Sequence, residues 1–167
     1  MLVLGIDPGI AITGYGLIQT DNRNNYQPVD FGVIRTEAGL PESKRLLVLY
    51  NSLNELLTHY QVESSAVEKL FFQKNVKTAI SVGQARGVTL LALAHKGIPV
   101  DEYTPNEVKQ TVCGYGSASK GQVQRMVQTL LQLESIPKPD DAADALAVAI
   151  CHINHQSFNN FVQDAEI

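Results

Sequence analysis

Four acidic residues stand where acids are costly or crowded. Asp7 closes the apolar run Leu2-Val3-Leu4-Gly5-Ile6, and Glu68 lies inside Ala66-Val67-Glu68-Lys69-Leu70. Asp141 and Asp144 stand three apart in Asp141-Ala142-Ala143-Asp144-Ala145. A carboxylate in an apolar strand costs free energy unless it is paired or ligating. Two acids three apart on a helix share a face and repel unless a cation lies between them. Each has an ordinary explanation taken singly: a strand end that reaches water, or a helix N-terminus that favours negative charge. Together they read as a set of hard oxygen ligands without His or Cys, which suits Mg²⁺, with Mn²⁺ as a substitute. Two such ions about 3.5–4 Å apart activate a water and steady the attacking and leaving oxygens of a phosphodiester displacement. Asp140 is a fifth acid, turned about 100° from Asp141 on a helix, and reads as a capping or solvent-facing residue.

The elements that must position these acids follow from periodicity. Leu2 to Ile6 is a buried strand ending in the turn Asp7-Pro8-Gly9. Thr13 to Gln19 and Val29 to Thr36 read as two more strands, joined by polar links as a meander. Leucines and tyrosines then recur every three or four residues, which predicts an amphipathic helix over 43–60 with Ser43 as its cap. Ser65 to Leu70 is a fourth strand, and Lys77 to Lys96 a second helix, with Gly97 at its C′ position. Ile98 to Tyr103 is a fifth strand. Thr104-Pro105-Asn106-Glu107 starts a third helix, which ends near the Gly114-Tyr115-Gly116 loop. Helices over 119–133 and 140–155 complete the order β-β-β-α-β-α-β-α-α-α. The expected fold is α/β and ribonuclease-H-like: a mixed five-stranded sheet, three antiparallel strands then two parallel, with helices on both faces. If the first and fourth strands are neighbours, Asp7 and Glu68 are adjacent, and the last helix can lay Asp141 and Asp144 over them. One domain over 1–156 is expected, with a polar, frayed tail over 157–167.

Composition bounds the function. The chain has 167 residues, 44% hydrophobic and 18% charged, as an ordinary globular domain does. A net charge of -4 counts against a uniformly basic nucleic-acid binder but leaves room for a local basic face. Cys113 and Cys151 have no metal-ligand spacing around them and read as reduced, buried small side chains. The first residues carry neither a basic leader nor a membrane-length apolar run, and a reducing cytoplasm is expected.

Six segments in order carry a family resemblance: GIDPG (5–9), TGYG (13–16), VEKLFFQKN (67–75), GQARG (83–87), VKQTVCGYGSASK (108–120) and DAADALAVAI (141–150). In these the chain resembles the RuvC family of bacterial Holliday-junction resolvases over nearly its whole length. The resemblance implies a homodimeric, Mg²⁺-dependent nuclease that nicks opposite strands of a four-way DNA junction, usually within a short A/T-containing sequence. It implies partners of the RuvA and RuvB families, which bind and migrate the junction. It places the metal-site acids at Asp7, Glu68, Asp141 and Asp144, the four already reached from the residues. It also implies that Lys109 and Lys120 are needed for activity, one of them close to the scissile phosphate, and that Phe71 stacks on unpaired bases at the crossover, leaving Phe72 to the core or an interface.

Several assignments rest on the residues alone. Lys69, Lys74, Lys77 and Arg86 cluster in sequence and could form the basic face that an acidic protein needs on DNA. Gly9 allows a sharp turn beside the metal. Gly14 and Gly16 either admit DNA backbone or mark a bulge. The Ala/Gly-rich stretch from Val82 to Leu93 suits a dimer interface as well as packing on the sheet. Three other classes fit less well. An ATP-binding protein of the actin and sugar-kinase class needs a second related domain, and this chain shows no repeat. A non-catalytic junction-binding module has no use for four acids. A nuclease for structured RNA would need a readout of the 2′-OH, of which the sequence gives no sign.

Overall fold

A computed structural model describes residues 1–21, 25–69 and 76–165, without the side chains of 76–78, 160 and 163–165. Strands β1 (Leu2–Asp7), β2 (Ile12–Thr20) and β3 (Tyr26–Arg35) form the expected meander, and helix α1 (Glu42–His59) follows. Strand β4 (Ser64–Glu68), helix α2 (Val76–His95), strand β5 (Val100–Tyr103) and helices α3 (Pro105–Cys113), α4 (Lys120–Leu130) and α5 (Asp140–Ala165) complete the chain. The sheet order is β3-β2-β1-β4-β5, with β1–β2 and β2–β3 antiparallel and β1–β4 and β4–β5 parallel. This is the ribonuclease-H-like arrangement that the element order predicts.

The two-residue period of the strands sorts every side chain onto one of two faces. Leu4, Ile6, Leu17 and Val67 point to a core shared with Leu49, Leu53, Ala92 and Leu93 of α1 and α2. Val3, Ile18, Ala66 and Tyr103 point to the opposite core, closed by α3, α4 and α5. Helices therefore cover both faces. Asp7 shares its face with Val3, and Glu68 shares its face with Ala66, so both acids point toward α5.

Most strand boundaries shift by one to three residues from expectation, and three helix ends differ for identifiable reasons. Helix α1 begins at Glu42 with Pro41 as its cap, one residue before Ser43; the preset φ of Pro41 serves the first turn where Ser43 was assigned. Helix α4 stops at Leu130, because Gln132 turns to a φ of 52°. The largest difference is α5, expected to end at His155 but continuous to Ala165. The stretch after Gln156 has no Gly or Pro to stop it, and Ser157 Oγ donates to the Ile153 carbonyl on the preceding turn. Phe158 and Phe161 ride exposed on this extension. Polarity of a segment withdraws its core contacts but does not by itself end a helix.

Candidate active site

The acids are positioned by a close seat between α5 and the first hairpin. A Cβ on Gly5 would lie 2.1 Å from the Ala145 carbonyl oxygen, and one on Gly14 would lie 1.9 Å from the Asp141 carbonyl oxygen. At Gly16 it would lie 2.7 Å from Leu146. These glycines let the helix backbone rest on the strand backbones, which brings Asp141 and Asp144 down to Asp7. Gly14 and Gly16 thus serve a helix, where the sequence suggested DNA backbone or a bulge; the register shift of β2 against β3 falls at Leu17/Ile18. Gly9 keeps its expected role, since a Cβ there would meet the Ile12 carbonyl at 2.4 Å. Thr13 Oγ1 donates to the Gly9 carbonyl across the same turn at 2.6 Å.

Parallel pairing aligns Gly5 with Ala66 and Ile6 with Val67, so Asp7 and Glu68 come next in the same ladder. Both are largely removed from water. Asp7 is pushed up to about 7, chiefly by burial and then by the charges of Glu68, Asp144 and Asp141. Glu68 is also pushed up to about 7, by burial and then by Asp144, against the pull of Lys109 and Lys120. Burial likewise raises Asp144, with Lys120 opposing it. Burial is the first cause for all three, and neighbouring carboxylates add to it.

Lysines from two helices face the same region. Lys120, the first residue of α4, places Nζ 2.9 Å from Asp144 and 3.6 Å from Asp140. Its unfavourable place at a helix N-terminus is thereby offset by two carboxylates of the next helix. Asp140, read from the sequence as a cap or solvent-facing group, is a partner of Lys120. Lys109 on α3 acts on Glu68. A cleft of about 220 Å³ lies between these helices, lined by Glu68, Lys109, Lys120 and Asp144 with Pro105, Val108, Val123 and Ala147.

The other basic residues are divided. Arg86 is half-buried on α2 and bound to Glu102 of β5, on the sheet face away from α5. Lys69 is exposed directly after Glu68. Phe71, Phe72 and Lys74 lie outside the described residues, as does the side chain of Lys77. Cys151 is buried and Cys113 only half-buried, both as free thiols.

Among the described residues, no three acids are already gathered into a coordination shell; Asp144 is turned to Lys120 instead. The donor set still fits a divalent cation. It is all carboxylate oxygen, it is desolvated, and its members repel one another until a cation joins them.

A ribonuclease-H-like sheet whose first and fourth strands and last helix bring four carboxylates within electrostatic reach of one another has the arrangement expected of a metal-dependent nuclease. The family model described as crossover junction endodeoxyribonuclease RuvC matches residues 3–152. The crossover junction endodeoxyribonuclease RuvC of Desulforamulus reducens is 57% identical over 157 residues, 94% of this chain and 96% of the relative. The solved structure of Thermus thermophilus RuvC is similar with a TM-score of 0.87 at 34% identity, over 95% of this chain and 97% of that one. T. thermophilus RuvC in complex with a Holliday junction substrate gives 0.86 at 32% identity, over 95% and 96%. The chain belongs to the RuvC family of crossover junction endodeoxyribonucleases, nucleases that depend on divalent metal.

Proposed function

We propose that Asp7, Glu68, Asp141 and Asp144 hold Mg²⁺, two ions per subunit, and that the protein resolves Holliday junctions by symmetric nicks in opposite strands during recombination and repair. The convergence of the four acids under the glycine seat of α5 is the observation that carries this reading. When bound, the metal supplies an activated water and charge stabilisation for phosphodiester hydrolysis. The residues of the chain do the rest. The carboxylates give up their protons to receive the cation. Lys109 and Lys120 face the cleft, where one of them offsets charge on the scissile phosphate as the bond breaks. The apolar wall of Val108 and Val123 limits water beside the reacting atoms. Phe71, Lys74 and Lys77 are assigned to junction DNA by the family resemblance and their clustering in sequence. Arg86, held by Glu102, supports β5 rather than reaching for DNA.

A second copy of the chain completes the enzyme. Ile80, Gln84, Gly87 and Leu91 are all exposed on α2, at the spacing of four, three and four residues that makes one helical stripe. Ile80 is 58% and Leu91 59% exposed, and neighbouring α1 also exposes Leu47 and Val48. This exposed stripe is read as the interface; its Gln84, Gly87 and Leu91 lie within the 82–93 stretch that suits a dimer interface as well as packing on the sheet. A two-fold dimer offers two equivalent sites to a junction of approximate two-fold symmetry. Cytoplasmic location and cooperation with RuvA- and RuvB-family proteins complete the reading. Among the described residues, no helix is long and apolar enough to cross a membrane.

The test is nicking of a synthetic four-way junction with and without Mg²⁺, beside Asp7→Asn. Paired nicks that need both Mg²⁺ and Asp7, with linear duplex untouched, are expected. Binding without cutting under any divalent metal would leave only a junction-binding module.

A further inference from the structure

His152 is fully buried and belongs to no part of the site described above. It lies eight residues after Asp144 on α5, on the side turned to β4 and β5. Its Nε2 lies 2.7 Å from Ser64 Oγ of β4. Gln156 of α5 directs its amide nitrogen to the same Nε2 at 2.9 Å and to Ser64 Oγ at 3.0 Å. On the other edge of the ring, Nδ1 lies 3.0 Å from Tyr103 Oη and 3.5 Å from the exposed Asp101 carboxylate, both of β5.

This pattern selects one protonation state. With the Gln156 amide nitrogen turned to the ring, Nε2 is the accepting nitrogen, its one lone pair shared between Gln156 and the Ser64 hydroxyl, and Nδ1–H donates toward Tyr103. A proton on Nε2 would face the Gln156 amide N–H and force that amide to turn, while the Ser64 hydroxyl would reorient to accept. Burial holds the ring in the neutral form in the same direction, against the opposing pull of Asp101. The hydroxyl of Tyr103 is also kept protonated, by burial first. A buried polar group this well partnered is costly to disturb, because each lost partner leaves an unsatisfied atom behind.

The elements joined here are those that carry the acids. Ser64 lies on the same face of β4 as Glu68, and Tyr103 pairs directly with Glu68 in the β4–β5 ladder. Helix α5 carries Asp141 and Asp144 at its start. The glycine seat holds α5 against β1 and β2 from Asp141 to Ala149. His152 lies about one turn beyond Ala149 and adds a polar tie to β4 and β5, the other half of the sheet.

We propose that His152 is a positioning residue for DNA cutting: as the neutral Nδ1–H tautomer it ties α5 to β4 and β5, and so holds Asp141 and Asp144 at the spacing from Glu68 that metal binding needs. The proposal rests on the metal-site reading given above. Tyr103→Phe removes one hydroxyl from the knot, and His152→Phe removes both sets of bonds while keeping an aromatic ring. Circular dichroism reports folding, titration calorimetry without DNA reports Mg²⁺ affinity, and gel shift without divalent metal reports junction affinity. Both variants are expected to fold and to bind junctions like the wild type, with Mg²⁺ affinity reduced by about tenfold and nicking restored in part by excess Mg²⁺. Folded variants with wild-type Mg²⁺ affinity would overturn the proposal and make the knot ordinary core. If His152→Phe fails to fold, Tyr103→Phe decides alone, by the same criterion. A wild-type protein that neither binds Mg²⁺ nor nicks would instead refute the metal-site reading, a result separate from either variant.

Discussion

Asp7 is part-buried among three other carboxylates, and pH-dependent behaviour follows from that placement. Its folded-state value and that of Glu68 are both pushed up to about 7, from 3.8 and 4.5. Between those limits the folded protein keeps protons that the unfolded chain gives up, so these two groups destabilise the metal-free fold as pH rises toward 7 and beyond. Without divalent metal, therefore, the difference in melting temperature between Asp7→Asn and wild type should grow in favour of the variant as pH rises from about 5 to 8. A difference that stays flat with pH would show that Asp7 is not desolvated. Mg²⁺ must displace the same protons, so its affinity should weaken as pH falls below about 7, with proton release in calorimetry. Pairing of Lys120 with Asp144 places a cation on one of the assigned ligands. Lys120→Ala should therefore bind Mg²⁺ at least as tightly as wild type, yet nick junctions about 10²-fold more slowly if its charge serves the departing phosphate.

At the scale of elements, the decisive contact is backbone against backbone. Helix α5 reaches Asp7 of β1 only because Gly5 and Gly14 carry no Cβ where its carbonyl oxygens pass. A methyl group on Gly14 would have to displace the main chain of Asp141, a residue assigned to the metal. Gly14→Ala should thus lower stability by about 1–3 kcal/mol or more and depress Mg²⁺ affinity at the same time. Measurement of chemical denaturation beside calorimetry separates the two effects. Gly87, with open space around it, serves as the control, and alanine there should leave the monomer fold intact.

On the proposed reading, the whole molecule is a dimer that presents two such sites to one junction. The exposed stripe of Ile80, Gln84, Gly87 and Leu91 supplies a surface that a second copy can match, and its centre lies on the face of α2 away from the buried Ala85 and Ala92. Leu91→Glu should shift the protein from dimer to monomer in sedimentation, with its circular dichroism unchanged. Junctions would then receive unpaired nicks in place of coordinated opposite ones. A variant that stays dimeric would move the interface elsewhere. Net charge of -4 is no obstacle at this scale, since the lysines of α3 and α4 sit beside the cleft.

Much of the site was legible because its signals are local. Asp7 and Glu68 stand out as acids in apolar strands, and Asp141 and Asp144 as an acid pair on one helix face; alternation and helical periodicity alone gave the element order and so the fold. What the sequence could not decide is set by contacts between distant segments. The function of Gly14 and Gly16 became clear only when α5 was seen lying on them, and the partnership of Asp140 with Lys120 only when α4 met α5. Arg86 looked like part of a basic cluster, but β5 brings Glu102 to it from sixteen residues away. His152 gave no signal at all, for a lone histidine in an apolar helix has no readable partner until the sheet edge is assembled around it. Sequence determines which residues carry charge and which face of an element they occupy, through short-range periodicity. Which charges meet, and how closely helix and strand backbones approach, is a long-range property that only the packed structure decides.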